Sequence, residues 1–229
     1  MRDVIEAALR GHNADYIEVR LEENASTRLV YRGKQLEDLG RTANQGGSVR
    51  ALVNGGWGFV SFNDAANLRG HVELAVQQAR LAGGGEAVKL APVAPSVATV
   101  SPVVKKDPRQ VPLAEKKRLM DEYNDIVLST PRVQSSTVIY GDAYKKVTFA
   151  NSEGSFIDQT RLDVIMNVRA LARRDGDVQQ SGFSIGRLGD YAMAEGLHDE
   201  VRAAAVRAGE LLDAPTVKGG EYTVVLDPI

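Results

Sequence analysis

The sequence predicts an α+β fold built from two similar units, each a helix, an antiparallel meander of strands and a second helix. Apolar residues recur with helical spacing at the ends of each unit and alternate in strand-like fashion between them. A proline-rich stretch separates the two units. The string Val-Arg-Ala-Leu occurs at 49–52 and again at 168–171, each time in the penultimate strand before the closing helix. The shared order and string predict an internal duplication in which Arg50 superposes on Arg169.

The first predicted unit covers residues 1–82. It begins with a short amphipathic helix that ends near Gly11, and it closes with a helix whose apolar stripe runs from Ala65 to Ala79. Turn-forming residues divide the segment between these helices, at Gly33-Lys34, Gly46-Gly47 and Asn54-Gly55-Gly56. The strands predicted on this basis are 16–21, 26–32, 35–42, 48–53 and 57–62.

Residues 83–112 are predicted to form a proline-rich linker, because five of the eight prolines lie there. Its valines indicate some packing, so we expect an ordered strap. The second unit covers residues 113–213 and opens and closes with amphipathic helices. Its predicted strands are 133–140, 144–150, 155–171 and 178–184, of which the third is long enough to require a bend or bulge. The predicted turns between them lie at Gly141-Asp142, at 151–154 and at Asp175-Gly176.

The last segment, residues 214–229, reads as a turn followed by an apolar strand at 221–226. A chain that stops on an apolar strand is unusual for a natural domain. We therefore expect this segment to be the start of a truncated C-terminal domain of the catalytic type.

Composition excludes several classes of function. The chain has 229 residues, no cysteine and a net charge of −2, so it has no disulfide framework and no electrostatic footprint for nucleic acid. Its apolar runs are too short to cross a bilayer, and its first residues lack the apolar core of a signal peptide. We expect a cytoplasmic protein with no membrane partner.

Motifs for catalysis or metal binding are not found. The chain contains no His-Glu-x-x-His, Gly-x-Ser-x-Gly or Walker sequence. His71 and Glu73 lie two positions apart in a predicted helix, so they point to different faces and cannot share a metal ion. His12 and His198 also lack an obvious partner residue. No catalytic residue, metal ligand or cofactor is predicted within the chain itself.

Three residues are candidates for contacts with substrate or with a partner subunit. Arg50 and Arg169 occupy equivalent places in the suspected repeat, where each could pair with a carboxylate of the fold or of a ligand. Trp57, the only tryptophan, lies beside a tight turn. Its ring could pack in the core, which we favour, or offer an aromatic surface to a peptide.

Three stretches of the chain carry a family resemblance. They are the string Asp15-Tyr16-Ile17-Glu18-Val19-Arg20, the pattern Gly-x-x-Val-Arg-Ala…Gly-Trp-Gly-Phe between Gly46 and Phe59, and the string Gly219-Gly220-Glu221-Tyr222-Thr223-Val224-Val225-Leu226-Asp227-Pro228. In content and order they resemble the N-terminal domain of the TldD/PmbA family, whose members are named as modulators of DNA gyrase. The ending Val-Leu-Asp-Pro-Ile is closer to the TldD-like, active type.

This resemblance implies a cytoplasmic zinc metallopeptidase that processes peptides or small unfolded proteins. It also implies a dimer, either of identical subunits or with a PmbA-like subunit, one of which can lack the metal. The family carries its metal on a His-Glu-x-x-x-His helix after a strand similar to 222–228. That motif does not occur in these residues, so no zinc ligand or catalytic glutamate can be assigned to them.

Two hypotheses about function follow. The chain is the N-terminal domain of a zinc peptidase, or it belongs to a non-catalytic scaffold subunit that serves dimerisation and substrate selection. A His-Glu-x-x-x-His motif in the gene beyond these residues would support the first hypothesis, and its absence would support the second. In either case we expect the 229-residue chain to have no peptidase activity by itself.

Overall fold

The computed structural model describes residues 1–85 and 88–226. Residues 86–87 of the predicted linker and 227–229 of the predicted last segment lie outside the described residues. The helices of the described part are α1 (Arg2–Leu9), α2 (Leu68–Ala82), α3 (Leu113–Ser129) and α4 (His198–Glu210). Its strands are β1 (Tyr16–Arg32), β2 (Gln35–Val53), β3 (Gly56–Phe62), β4 (Val97–Val100), β5 (Val133–Asn151), β6 (Phe156–Arg174) and β7 (Asp177–Leu188). Short 3₁₀ segments span Tyr191–Ala194 and Leu211–Asp213.

The seven strands form one sheet, so the predicted α+β fold is confirmed, and the two meanders lie side by side within it. The strand order is β3-β2-β1-β5-β6-β4, and β7 also pairs with β6. All pairs are antiparallel except β4 with β6. The junction between the units is the antiparallel pair β1–β5, which is continuous from Glu18 opposite Asn151 to Arg32 opposite Thr137.

Several predicted strand ends are wrong. In three places, two short strands predicted one after the other form a single long strand in the structure, namely β1, β2 and β5. The chain does not turn between 21 and 26, at Gly46-Gly47 or at Gly141-Asp142, and β1, β2 and β5 run straight through these places. Backbone pairing with neighbours outweighs the local turn preference there. The bulge offered as one alternative within 155–171 is absent from the described strand, because the β5–β6 register is continuous from Leu171 to Phe156.

All four helices pack on one face of the sheet. On β1, Ile17 and Val19 belong to a core formed with α1 and α2, whereas Leu29 and Tyr31 belong to a core formed with α3 and α4. These four residues have the same parity along one strand and therefore share a face. We call this the helix face and the opposite side the open face. The two cores are separated by the middle of β1.

The two arginines of the suspected repeat lie on corresponding strands. Arg50 lies on β2, the middle strand of β3-β2-β1, and Arg169 lies on β6, the middle strand of β5-β6-β7. If Arg50 and Arg169 lay on unrelated strands, the internal duplication would be contradicted. Their corresponding strands are consistent with it, and the duplication stays a prediction.

The linker and the last segment differ in their structure. Within 83–112, the short strand β4 pairs with β6, and Val111 is buried in the second core. By contrast, the strand predicted at 221–226 is wrong. These residues have no regular structure, and Val225 and Leu226 are 92% and 83% exposed. A strand forms only where a partner accepts its backbone hydrogen bonds, and the described residues place no strand beside this segment.

Candidate functional site

The open face of the sheet is not covered by any helix of the described chain. It carries many charged side chains and some partly exposed apolar ones, and ion pairs link charged residues at neighbouring positions. The pairs include Arg50 with Glu18, Arg20 with Glu22, Lys145 with Glu22 and Arg161 with Asp163. This face therefore offers both charge and apolar surface to a partner molecule.

Two of the three predicted candidates meet on the open face. The Arg50 Nε donates a hydrogen bond of 2.7 Å to Oε1 of Glu18, its cross-strand neighbour, and its guanidinium lies 5.1 Å from the centre of the Trp57 ring. Hydrogen bonding to Glu18 raises the pKa of Arg50. Tyr16 completes the cluster by donating to Oε2 of Glu18 at 2.8 Å and meeting Trp57 edge to face. Burial raises the pKa of Tyr16 to about 12, so it stays a donor at neutral pH.

The preferred prediction for Trp57, a place in the core, is wrong. The ring is 40% exposed and its neighbour Phe59 is 57% exposed. The two rings share the open face because Trp57 and Phe59 are two positions apart on β3. Gly56 and Gly58 alternate with them and lie against the backbone of α2. These two glycines allow α2 to pack closely on β3, and Gly56, paired with Val53, also closes the predicted turn at Asn54-Gly55.

Arg169 lies apart from this cluster. It faces Thr137 on β5 and Gly182 on β7, and strands β1 and β5 separate its strand from that of Arg50. Its side chain is exposed. Arg50 thus has the paired carboxylate that one interpretation required, whereas Arg169 has no ion pair with the residues in the described ranges.

The outer edge of β7 was not predicted from the sequence. One side of β7 pairs with β6, and within the described residues no strand lies along its other side. Gly189 donates to the carbonyl oxygen of Leu162 at 3.2 Å, directly beyond the last pair of the ladder. Because inward and outward bonding alternate along an antiparallel strand, the N–H groups of Gln180 and Ser184 point outward. The available sequence signal was the run 178–186, which has neither charge nor proline.

The opposite edge of the sheet, β3, is protected. The amide nitrogen of Phe59 donates to the side-chain oxygen of Gln78 on α2 at 3.1 Å. A side chain that accepts from an edge amide blocks pairing with another strand at that point. Of the edge strands β3 and β7, which lie on opposite sides of the sheet, β7 is therefore the more open to an added strand; the four-residue edge strand β4 is shorter than either.

The histidines do not converge on a metal site. His12 bonds the Ala8 carbonyl at the end of α1, His71 stacks on Phe62 at 4.2 Å, and His198 lies 3.3 Å from Glu122. Within the described residues no group of three or more His, Cys, Asp or Glu side chains could hold a metal ion. These donors do not fit a zinc site, and no catalytic step is assigned to them.

Comparison with known proteins decides the family. The profile described as PmbA/TldA metallopeptidase domain 1 matches residues 17–82, and the one described as PmbA/TldA metallopeptidase central domain matches residues 106–212. The chain belongs to the PmbA/TldD family. Metalloprotease slr0863 of Synechocystis sp. is 40% identical over 218 residues, which are 94% of this chain and 47% of that protein. Metalloprotease MJ0996 of Methanocaldococcus jannaschii is 25% identical, covering 93% of this chain and 48% of that protein.

Solved structures of the PmbA/TldD fold agree with this assignment. A Thermotoga maritima protein named as a candidate modulator of a DNA gyrase superposes with a TM-score of 0.77 at 15% identity, covering 96% of this chain and 49% of that chain. TldE from Thermococcus kodakarensis superposes with a TM-score of 0.65 at 12% identity, covering 93% of this chain and 47% of that chain. At these identities the likeness shows the fold alone.

The chain spans about half the length of the curated PmbA/TldD relatives it matches, 47% and 48% for the two metalloproteases. It is thus a metallopeptidase-family chain of half length, and the family implies a metal. No helix in the described ranges is long and apolar enough to span a membrane.

Proposed function

We propose that this chain is the N-terminal half of a zinc metallopeptidase that acts on peptides or small unfolded proteins, and that it holds the substrate. Family membership supports the metallopeptidase part of the proposal. The open outer edge of β7 supports the substrate-holding part. A dimer, with a second copy or with a PmbA-like subunit, and a cytoplasmic location belong to the same proposal.

An extended peptide would add to the sheet as a strand beside β7. Recognition through backbone hydrogen bonds is tolerant of sequence, which suits a peptidase for unfolded chains. Side chains of such a peptide would alternate between the helix face and the open face. On the open face, exposed Val178 and Leu188 of β7 would give apolar contacts.

Proline at the outward positions of β7 tests this proposal. The variants Gln180→Pro and Ser184→Pro each remove one outward N–H and leave the backbone hydrogen bonds to β6 in place. Losing one such bond at a desolvated edge costs about 1–3 kcal/mol, so we expect each variant to weaken binding of an unfolded peptide by about five- to 150-fold. Fluorescence anisotropy of a labelled peptide measures the affinity.

The matched controls are Gln180→Ala and Ser184→Ala, which keep the backbone donor and should bind as the parent does. Urea unfolding of each proline variant tests whether the sheet is intact. Unchanged affinity in both folded proline variants would contradict binding at β7.

The zinc part of the proposal has a separate test. Because the described donors do not converge, the purified 229-residue chain should neither retain stoichiometric zinc after dialysis nor cleave peptides. Elemental analysis and a peptidase assay measure this, with the protein expressed from the whole gene as the control. Zinc-dependent cleavage by the 229-residue chain would contradict the division of roles. A whole gene without His-Glu-x-x-x-His would favour a non-catalytic scaffold subunit instead.

A further inference from the structure

A cavity of about 260 Å³ opens on the helix face between the two cores. It lies over the middle of β1, and Arg109, from the chain that leads into α3, borders it. The lining includes Ala25, Thr27, Arg41, Ala43, Arg109 and Asp142. Two guanidinium groups and one carboxylate therefore border one small space.

The sheet register explains how the cavity is built. Thr27 lies at the centre of one row, with Arg41 as its cross-strand neighbour on β2 and Asp142 on β5. In the next row on this face, Ala25 lies between Ala43 and Tyr144. Because alanine side chains are short, Ala25 and Ala43 leave space above the sheet. Arg41 and Arg109 border this space.

The carboxylate on the lining is already neutralised. Lys116 is fully buried, and its Nζ donates to Oδ2 of Asp142 at 2.5 Å. Tyr140 donates its hydroxyl to the same oxygen at 2.7 Å. Asp142 is itself only 6% exposed. A buried carboxylate that is paired in this way repels an incoming anion far less than a free one would.

The two arginines differ in their partners. Arg109 lies 4.0 Å from the centre of the Tyr144 ring and binds Asp107 through two nitrogens at 2.6–3.1 Å. Arg41 donates from Nη2 to the carbonyl oxygen of Val111 at 2.5 Å. Within residues 1–85 and 88–226, no carboxylate lies in ion-pair distance of Arg41. The lining and its direct partners thus carry one positive charge in excess.

We propose that this cavity binds a carboxylate group of a peptide, with Arg41 as the ion-pairing residue and Arg109 at its flank. A planar guanidinium fits a carboxylate through two parallel hydrogen bonds, and Arg41 is held in place by a neutral carbonyl that leaves its charge available. The carboxylate could be a peptide C-terminus or an acidic side chain. This site lies on the helix face and does not depend on the β7 edge, so either proposal can fail alone.

Three small probes test the proposal by ¹⁵N NMR titration of the 229-residue chain. Trialanine carries a C-terminal carboxylate, trialanine amide carries none, and N-acetylglutamate α-amide carries a side-chain carboxylate. We expect carboxylate-dependent shifts at the Arg41 Nε–H and at the amides of Ala25 and Ala43. Shifts with trialanine, with the glutamate derivative or with both support the site and identify the source of the carboxylate. If trialanine amide caused the same shifts as trialanine, or if no probe caused shifts, the proposed carboxylate site would be overturned.

Substitutions separate charge recognition from shape. Arg41→Gln should weaken carboxylate binding roughly ten- to hundredfold, because an ion-paired hydrogen bond is lost. Arg28→Gln, which removes an arginine that pairs with Asp38 at 3.1 Å on the open face, is the matched control and should bind as the parent does. At Ala43, Ala43→Glu should abolish binding and Ala43→Lys should retain it. Equal losses from these two variants would contradict recognition of charge.

Discussion

Replacing Lys116 with methionine is expected to destabilise the fold by about 3–5 kcal/mol, the cost of leaving one partner of a buried ion pair uncompensated. Lys116 is the only ammonium group within ion-pair distance of Asp142 in the described part of the chain, and both side chains are buried. Its Nζ also lies 3.2 Å from the Thr27 hydroxyl. Urea unfolding followed by circular dichroism measures the loss.

The double variant Lys116→Met with Asp142→Asn is the control, because it removes both charges and should recover part of the lost stability.

Burial lowers the pKa of Lys116 below its ordinary 10.5. The native state therefore binds fewer protons than the unfolded chain between that lowered pKa and 10.5, and this group makes stability rise with pH in that window. Lys116→Met should remove the rise. A loss below 1 kcal/mol would show that Asp142 finds another partner.

Gly58→Ala is expected to cost about 3 kcal/mol, near the upper end for overpacking a well-packed core. A Cβ atom at Gly58 would lie 1.9 Å from the carbonyl oxygen of Ala75 and 2.7 Å from the nitrogen of Ala79. Both atoms belong to the backbone of α2, so the whole helix would have to move away from β3. The urea midpoint of the variant measures the effect.

Gly40→Ala is the matched control for Gly58→Ala. Gly40 is also a strand glycine, but a Cβ there would meet no atom within 4 Å. This substitution should be neutral or slightly stabilising, since alanine reduces the freedom of the unfolded chain. Equal effects at the two positions would mean that α2 does not pack closely on β3.

Local sequence was sufficient to predict the tight turns. Asn54 and Asp175 adopt the left-handed conformation with φ of 47° and 48°, each followed by a glycine with positive φ, as hairpin turns of this composition require. It was not sufficient at Gly46 and Gly47. A Cβ at Gly47 would lie 2.6 Å from the Phe62 ring, so glycine is needed there for packing within a strand. Only the neighbouring strand reveals that reason.

The candidate cluster on the open face was predicted in part. Arg50 and Trp57 were selected separately, and the structure joins them through cross-strand register, with Glu18 as the ion-pair partner. Glu18 could not be identified because its pairing with Arg50 depends on the register of β1 against β2. The proposed carboxylate site could not be predicted either, because Arg41 and Arg109 are 68 positions apart in the sequence and only the tertiary fold brings them to one cavity.

Hydrogen exchange gives the most direct test of the claim that this chain holds an extended peptide along β7. With a saturating unfolded peptide bound, the outward amides of Gln180, Ser184 and Gly186 should exchange more slowly, while amides along β3 should be unchanged. This pattern requires new backbone hydrogen bonds at the β7 edge. Binding accompanied by protection only at β3 or on the open face, with β7 exchanging as in the free chain, would contradict the claim.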